Sequence, residues 1–230
     1  MDGTPIDWRG QHLRALPSGA LFWPSEGLLV VADLHLGRSG RVARRGGALL
    51  PPYETADTLD RLATEIGRTG PAAVIALGDS FDDDACATEL EAECLGRLTA
   101  LMAGRDWTWI AGNHDPAPVA LGGTHRREVR RGPLVFRHAA EADGDGEVSG
   151  HWHPKLAVQL RAGRVSRPCF LRDARRLILP AFGTYTGGLA PTHPALRRLL
   201  AADATAILTG TPALVVPAFP GVVRRAGNWL

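Results

Sequence analysis

Cysteine is scarce in this chain. Cys86, Cys94 and Cys169 are all it has, and no two form a C-x-x-C pair. An odd, unpatterned set of three argues against a disulfide-stapled secreted framework and fits a reducing interior. Long apolar runs are also lacking. None approaches the roughly 20 residues that a membrane span needs. The opening MDGTPIDWRG is polar and has no signal-peptide pattern. The expectation is a soluble, cytoplasmic protein with no membrane partner. Lysine is nearly missing, Lys155 being the only one, so arginine carries almost all the positive charge. Neither an internal repeat nor a low-complexity linker divides the sequence.

What remains is ordinary globular composition, 45% hydrophobic and 22% charged, with a net charge of +2. A length of 230 residues suits one domain spanning 1–230, with a core that needs no disulfides. LRALP, ALFWP and LLVVAD read as early strands separated by turns. A Gly/Arg-rich stretch, GRSGRVARRGGALLPP, reads as a loop. Thr55, Leu59, Leu62 and Ile66 then fall at helical spacing, and Leu90, Leu95, Leu98, Leu101 and Met102 predict a second helix. AAVIAL, WTWIAG and LVFRH are further strands. KLAVQL, RLILP, AILTG and ALVVP continue the pattern, with a short helix at HPALRRLLA. Strands alternate with helices early and β-structure dominates late. The expected class is α/β, with two packed β-sheets and helices outside.

Polar residues collect where the strands stop. LLVVAD leads into Asp33 and His35, AAVIALG into Asp79, and WTWIAG into Asn113, His114 and Asp115. LVFR ends at His138. GHWHP then places His151 and His153 two residues apart, on one side of an extended segment. Ligands bind beyond the carboxyl ends of strands in open α/β sheets, so these residues should meet at one edge. Asp33, His35, Asp79, Asn113, His138, His151 and His153 make seven nitrogen and oxygen donors. That number suits a two-metal centre with one bridging carboxylate rather than a single tetrahedral zinc. His12, His125 and His193 lack such context and read as surface or core histidines. The tryptophans read as packing residues. Two arginine clusters stand out, Arg38, Arg41, Arg44 and Arg45, and Arg126, Arg127, Arg130 and Arg131. Each reads either as a solvated face or as a rim that holds phosphates.

ADLHLG, GDSFDD, GNHD, FRH and GHWHP together resemble the calcineurin-like metallophosphoesterase superfamily. VVADLHLGRSGRVARRGGALLP and LPAFGTYTGG are similar to the bacterial ligase-associated DNA damage response endonucleases within it. The resemblance implies the metallophosphoesterase four-layer sandwich, with two metals at the sheet edge. It assigns Asp33, His35, Asp79 and His153 to one metal, and Asp79, Asn113, His138 and His151 to the other. One departure is Ala139 and Ala140 after His138, where a charged residue or proline is usual. Nitrogen and oxygen donors without thiolate favour Mn²⁺, with Fe or Zn²⁺ as alternatives. The implied reaction is attack of metal-activated hydroxide on phosphorus, with His114 assisting the leaving oxygen and Asp82, or its neighbour Asp83, orienting His114. Arg38, Arg41, Arg44 and Arg45 would bind substrate phosphates. The implied function is a DNA endonuclease acting on single strands in repair, associated with a DNA helicase and an ATP-dependent ligase. Two rivals remain: a phosphomonoesterase or small-nucleotide phosphodiesterase, and a non-catalytic scaffold on the same fold.

Overall fold

The structure, a computed structural model, describes residues 3–47, 50–117, 120–160 and 163–219. Its first sheet has the strand order β1-β2-β3-β4-β5-β6-β7. These strands are Thr4–Trp8, Gln11–Ala15, Leu21–Trp23, Leu28–Val31, Ala73–Ala76, Asp106–Ile110 and Thr124–Arg126. From β1 to β4 the pairing is antiparallel, and from β4 to β7 it is parallel. The second sheet comprises β8 to β15: Glu128–Arg131, Leu134–Arg137, Glu147–Ser149, Lys155–Leu160, Gly163–Arg172, Arg176–Ile178, Thr205–Leu208 and Leu214–Pro217. Strands β9, β10 and β13 run parallel at its centre.

Alternation along the strands builds the layers. In β4, Leu28 and Val30 enter the core between the sheets, while Leu29 and Val31 face the helices. Both faces are buried, so the strand reads as an unbroken apolar run. The inter-sheet core joins Val30, Ile75 and Ile110 to Phe136, Val148, Phe170 and Leu177. Outside the first sheet lie α2 (Glu54–Thr69) and α4 (Ala92–Met102), which bury Leu59, Leu62, Ile66 and Leu98 against Trp107 and Trp109. Outside the second sheet, α5 (Pro194–Leu199) buries Leu196 against Leu171, Ile178 and Leu208. Helix, sheet, sheet and helix make the four-layer sandwich. The cysteines are free and buried. No helix among the described residues is long and apolar enough to cross a membrane.

Two elements differ from the sequence expectation. The Gly/Arg-rich stretch contains a helix, α1 (Arg38–Arg44), which buries no residue and so leaves no apolar period to read. Residues 48 and 49 of that stretch lie outside the described residues. The helix expected from Leu90 onward is preceded by a separate short one, α3 (Asp84–Glu89), whose first turn Asp83 caps by accepting from the Cys86 N–H at 2.9 Å. Leu90 between them is extended, with φ −58° and ψ 138°.

Candidate metal centre

The parallel strands of both sheets end at one edge. Asp33 and His35 follow β4, Asp79 follows β5, and Asn113 and His114 follow β6. From the second sheet, His138 follows β9, and His151 and His153 follow β10. Backbone hydrogen bonds tie these turns together: His35 N–H donates to Asp79 O at 2.9 Å, and Gly150 N–H to His138 O at 2.9 Å. The His151 N–H donates to the Asp33 carboxylate at 2.9 Å, and the His114 N–H to Asp79 Oδ1 at 2.9 Å.

Five of the expected ligands, Asp33, His35, Asp79, His151 and His153, have φ between 44° and 70°. Left-handed backbone at non-glycine residues costs about 1–3 kcal/mol each and persists only where the surroundings enforce it. The glycines flanking these residues leave room for the tight approach. A Cβ on Gly112 would lie 2.2 Å from the Asp79 nitrogen, and one on Gly150 would lie 2.5 Å from Asp33 Oδ2.

Two groups of donor atoms converge, each within 4.8 Å: Asp33, His35 and His153, and Asp79, His138 and His151. His35, Asp79 and His114 also meet within that distance. Asn113 Oδ1 lies 2.9 Å from His138 Nε2, which puts the seventh expected donor beside the second group. The imidazoles are oriented from behind. His138 Nδ1 donates to Leu77 O at 2.8 Å, so its Nε2 lone pair faces the site. His35 Nδ1 lies 2.8 Å from Asp82 Oδ1, which favours the proton there and leaves Nε2 facing inward. The inward nitrogens crowd one another. His35 Nε2 and His153 Nε2 are 3.4 Å apart, and His138 Nε2 and His151 Nδ1 are 3.0 Å apart. Lone pairs converging this closely beside carboxylates match what divalent cations require. Burial, with the neighbouring His138, also lowers the pKa of His151, favouring the neutral, ligating form. The donor set therefore fits divalent metals.

Other residues fall differently from expectation. The Asp82 carboxylate does not face His114. It is fully buried, against His35 on one side and accepting from Arg38 at 2.9 Å and Arg41 at 2.7 Å on the other. Burial opposes its ionisation, but the contacts from His35 and Arg41 outweigh it, and its pKa falls well below the usual carboxylate range. His114 is instead oriented by donating from Nδ1 to the Asp82 backbone carbonyl at 2.8 Å, which leaves Nε2 4.0 Å from Asp79 Oδ2. Asp83 is no partner of His114 either. It caps α3 and accepts from Arg44 at 2.9 Å.

The first arginine cluster is turned inward. Arg38 and Arg41 hold Asp82, and Arg44 is paired with Asp83 and Glu89. Arg45, exposed, has no such pairing among the described residues. In the second cluster, Arg131 pairs with Asp106 and Arg130 with Glu128, while Arg127 lines a groove beside Asn113 and His138. Sequence reasoning assigned no role to Asp115, although GNHD displays it. Its carboxylate accepts from the Ser80 and Phe81 N–H groups at 2.7 and 3.1 Å, fixing the turn that carries Asp79. Burial pushes its pKa up to about 6, with the charge of Asp79 adding to the effect.

The model of the calcineurin-like phosphoesterase family matches residues 28–153, from the start of β4 to the last of these histidines. The chain belongs to the calcineurin-like phosphoesterase family. It is a metal-dependent phosphoester hydrolase, and the phosphoesterases of this family use divalent metals. Among solved structures it is similar to the nuclease MPE of Pseudomonas putida, at 28% identity and a TM-score of 0.68, over 90% of this chain and 96% of that one. Yfce, a phosphoesterase from E. coli, matches at 13% identity and a TM-score of 0.36, over 78% of this chain and 87% of that one. No curated protein matches the chain.

Proposed function

We propose that this phosphoesterase is a two-metal phosphodiesterase that cuts DNA, acting as an endonuclease on unpaired strands. The observation that carries the reading is the pair of adjacent donor groups, Asp33, His35 and His153 beside Asp79, His138 and His151, with Asn113 at the second. Likeness to a nuclease over nearly its whole length supports DNA as the substrate. Asp33, His35 and His153 would hold one cation, Asn113, His138 and His151 the other, with Asp79 shared. The donor chemistry favours Mn²⁺. Bound cations lower the pKa of water and offset charge building on phosphoryl oxygens. His114 is partly exposed beside Asp79, its Nδ1 is fixed, and its Nε2 is left to protonate a departing alkoxide. A role in repair, alongside a helicase and a ligase, accords with the sequence resemblance.

The test combines metal content with substrate choice. Mn²⁺-reconstituted protein should hold two equivalents by elemental analysis and should linearise circular single-stranded DNA, which has no ends to attack. Saturation at one equivalent in folded protein would refute the binuclear site. A metal-loaded protein that leaves the circle intact while turning over small phosphomonoesters would instead be a phosphatase.

A further inference from the structure

Of the arginines near the expected metal ligands, Arg38, Arg41 and Arg44 are held by carboxylates, which leaves Arg127, in its groove beside Asn113 and His138, and cations farther along the edge to hold a strand. The segment Ala181–Leu189 leads to the latter. Its Gly183 N–H donates to Asp33 O at 3.1 Å, and its Leu189 N–H to His153 O at 3.2 Å. The segment is therefore stapled to the backbone of two ligands from opposite sheets. Between the staples, Tyr185 has φ 63° and is 41% exposed. A bulky residue at positive φ is strained, and here the strain presents an aromatic ring to solvent. Tyr185 lines a groove of about 540 Å³ together with Arg61, Lys155, Arg167, Thr186 and Thr209. Arg61 is held by Asp57 at 3.4 Å. The Lys155 ammonium donates to Thr186 O at 2.8 Å, and Arg167 makes a long hydrogen bond to Thr209 O at 3.4 Å. Neither is in an ion pair among the described residues, and the carboxylate that lines the groove, Asp57, is engaged by Arg61.

We infer that this groove is the strand-binding subsite, in which Tyr185 stacks a base of unpaired DNA while Lys155 and Arg167 hold phosphates flanking the one at the metals. An exposed ring beside unpaired cations is the chemistry that binds single strands without reading sequence. A duplex keeps its bases stacked inside and offers no face to Tyr185. The inference rests on the DNA reading above and adds where the strand lies.

The test uses the Mn²⁺-loaded protein and its Tyr185→Ala, Tyr185→Trp and Lys155→Ala/Arg167→Ala variants, each checked for an unchanged melting temperature. The substrates are an oligothymidylate and bis(p-nitrophenyl) phosphate. Tyr185→Ala should raise the KM for DNA about tenfold with kcat little changed, and Tyr185→Trp should restore it. The double variant should flatten the dependence of log KM on log salt by about 1.4, the contribution of two phosphates on a single strand. Hydrolysis of the small diester should be unaffected in every variant. Wild-type protein that cuts DNA, with KM and salt slope unchanged in the variants, would overturn the groove. Equal loss on both substrates would overturn it too, by showing a role in building the metal site. Wild-type protein that hydrolyses the diester but no DNA would refute the DNA reading itself.

Discussion

His35 and His114 both depend on Asp82, but through different atoms. The side chain of Asp82 meets His35, and its backbone carbonyl meets His114. A sequence reading cannot separate these, because the spacing from Asp79 to Asp82 is the same in either case. The choice is made by α1, whose arginines draw the carboxylate toward themselves. His114 keeps its orientation without a carboxylate, so its chemistry should depend on position rather than on a charged partner. Replacing His114 by Ala should leave both metals bound and lower DNA cleavage by about 10²–10⁴-fold, the usual contribution of a general acid. The loss should be much smaller for a nitrophenyl diester, whose leaving group needs no proton. Single-turnover rates on the two substrates give the comparison. Equal losses would show that His114 does not protonate the leaving group.

At the scale of elements, the strands were legible and α1 was not. Apolar runs such as LLVV and AVIA sit in both-faces-buried strands, and the polar residues at their ends converge at one edge, as the sequence pattern implies. Helix α1 is held by charge. Arg38 and Arg41 clasp Asp82, Arg44 clasps Asp83, and Ser39 donates to Glu54 at 2.9 Å from its backbone. Such pairings have no period, and from sequence alone the arginines resemble a substrate rim. In the structure Arg38 and Arg41 hold Asp82 against His35, one of the expected metal ligands, and Arg44 holds Asp83. Asp82→Asn should therefore weaken metal binding about 10–100-fold at the site of His35 and leave the other site nearly unchanged. Isothermal titration with Mn²⁺ would resolve the two affinities. Arg41→Ala should act in the same direction with a smaller effect, since Arg38 and His35 still contact the carboxylate. If both sites keep their affinity in Asp82→Asn, the carboxylate does not position His35.

At the scale of the molecule, the site joins the two sheets. Asp33, His35, Asp79 and Asn113 come from the ends of the first sheet, and His138, His151 and His153 from the second. Sequence order hid this division, because the motifs follow one another along the chain without marking where one sheet stops. The inter-sheet core of Val30, Ile75, Phe136 and Leu177 holds the middle of the sandwich. At the edge, cations between the converging carboxylates and crowded imidazoles would relieve the repulsion among them. Metal should thus stabilise the whole fold, since it binds a geometry that only the packed sheets provide. Each site held at about 100 times its dissociation constant adds about 2.7 kcal/mol. In a protein of this size that corresponds to a rise of about 5–11 °C per site. Melting curves with chelator and with saturating Mn²⁺ should differ by one to two such steps. His153→Ala, which removes a donor from one group only, should forfeit one step and keep the other. A melting temperature indifferent to metal in the wild-type protein would mean that the two sheets close without it.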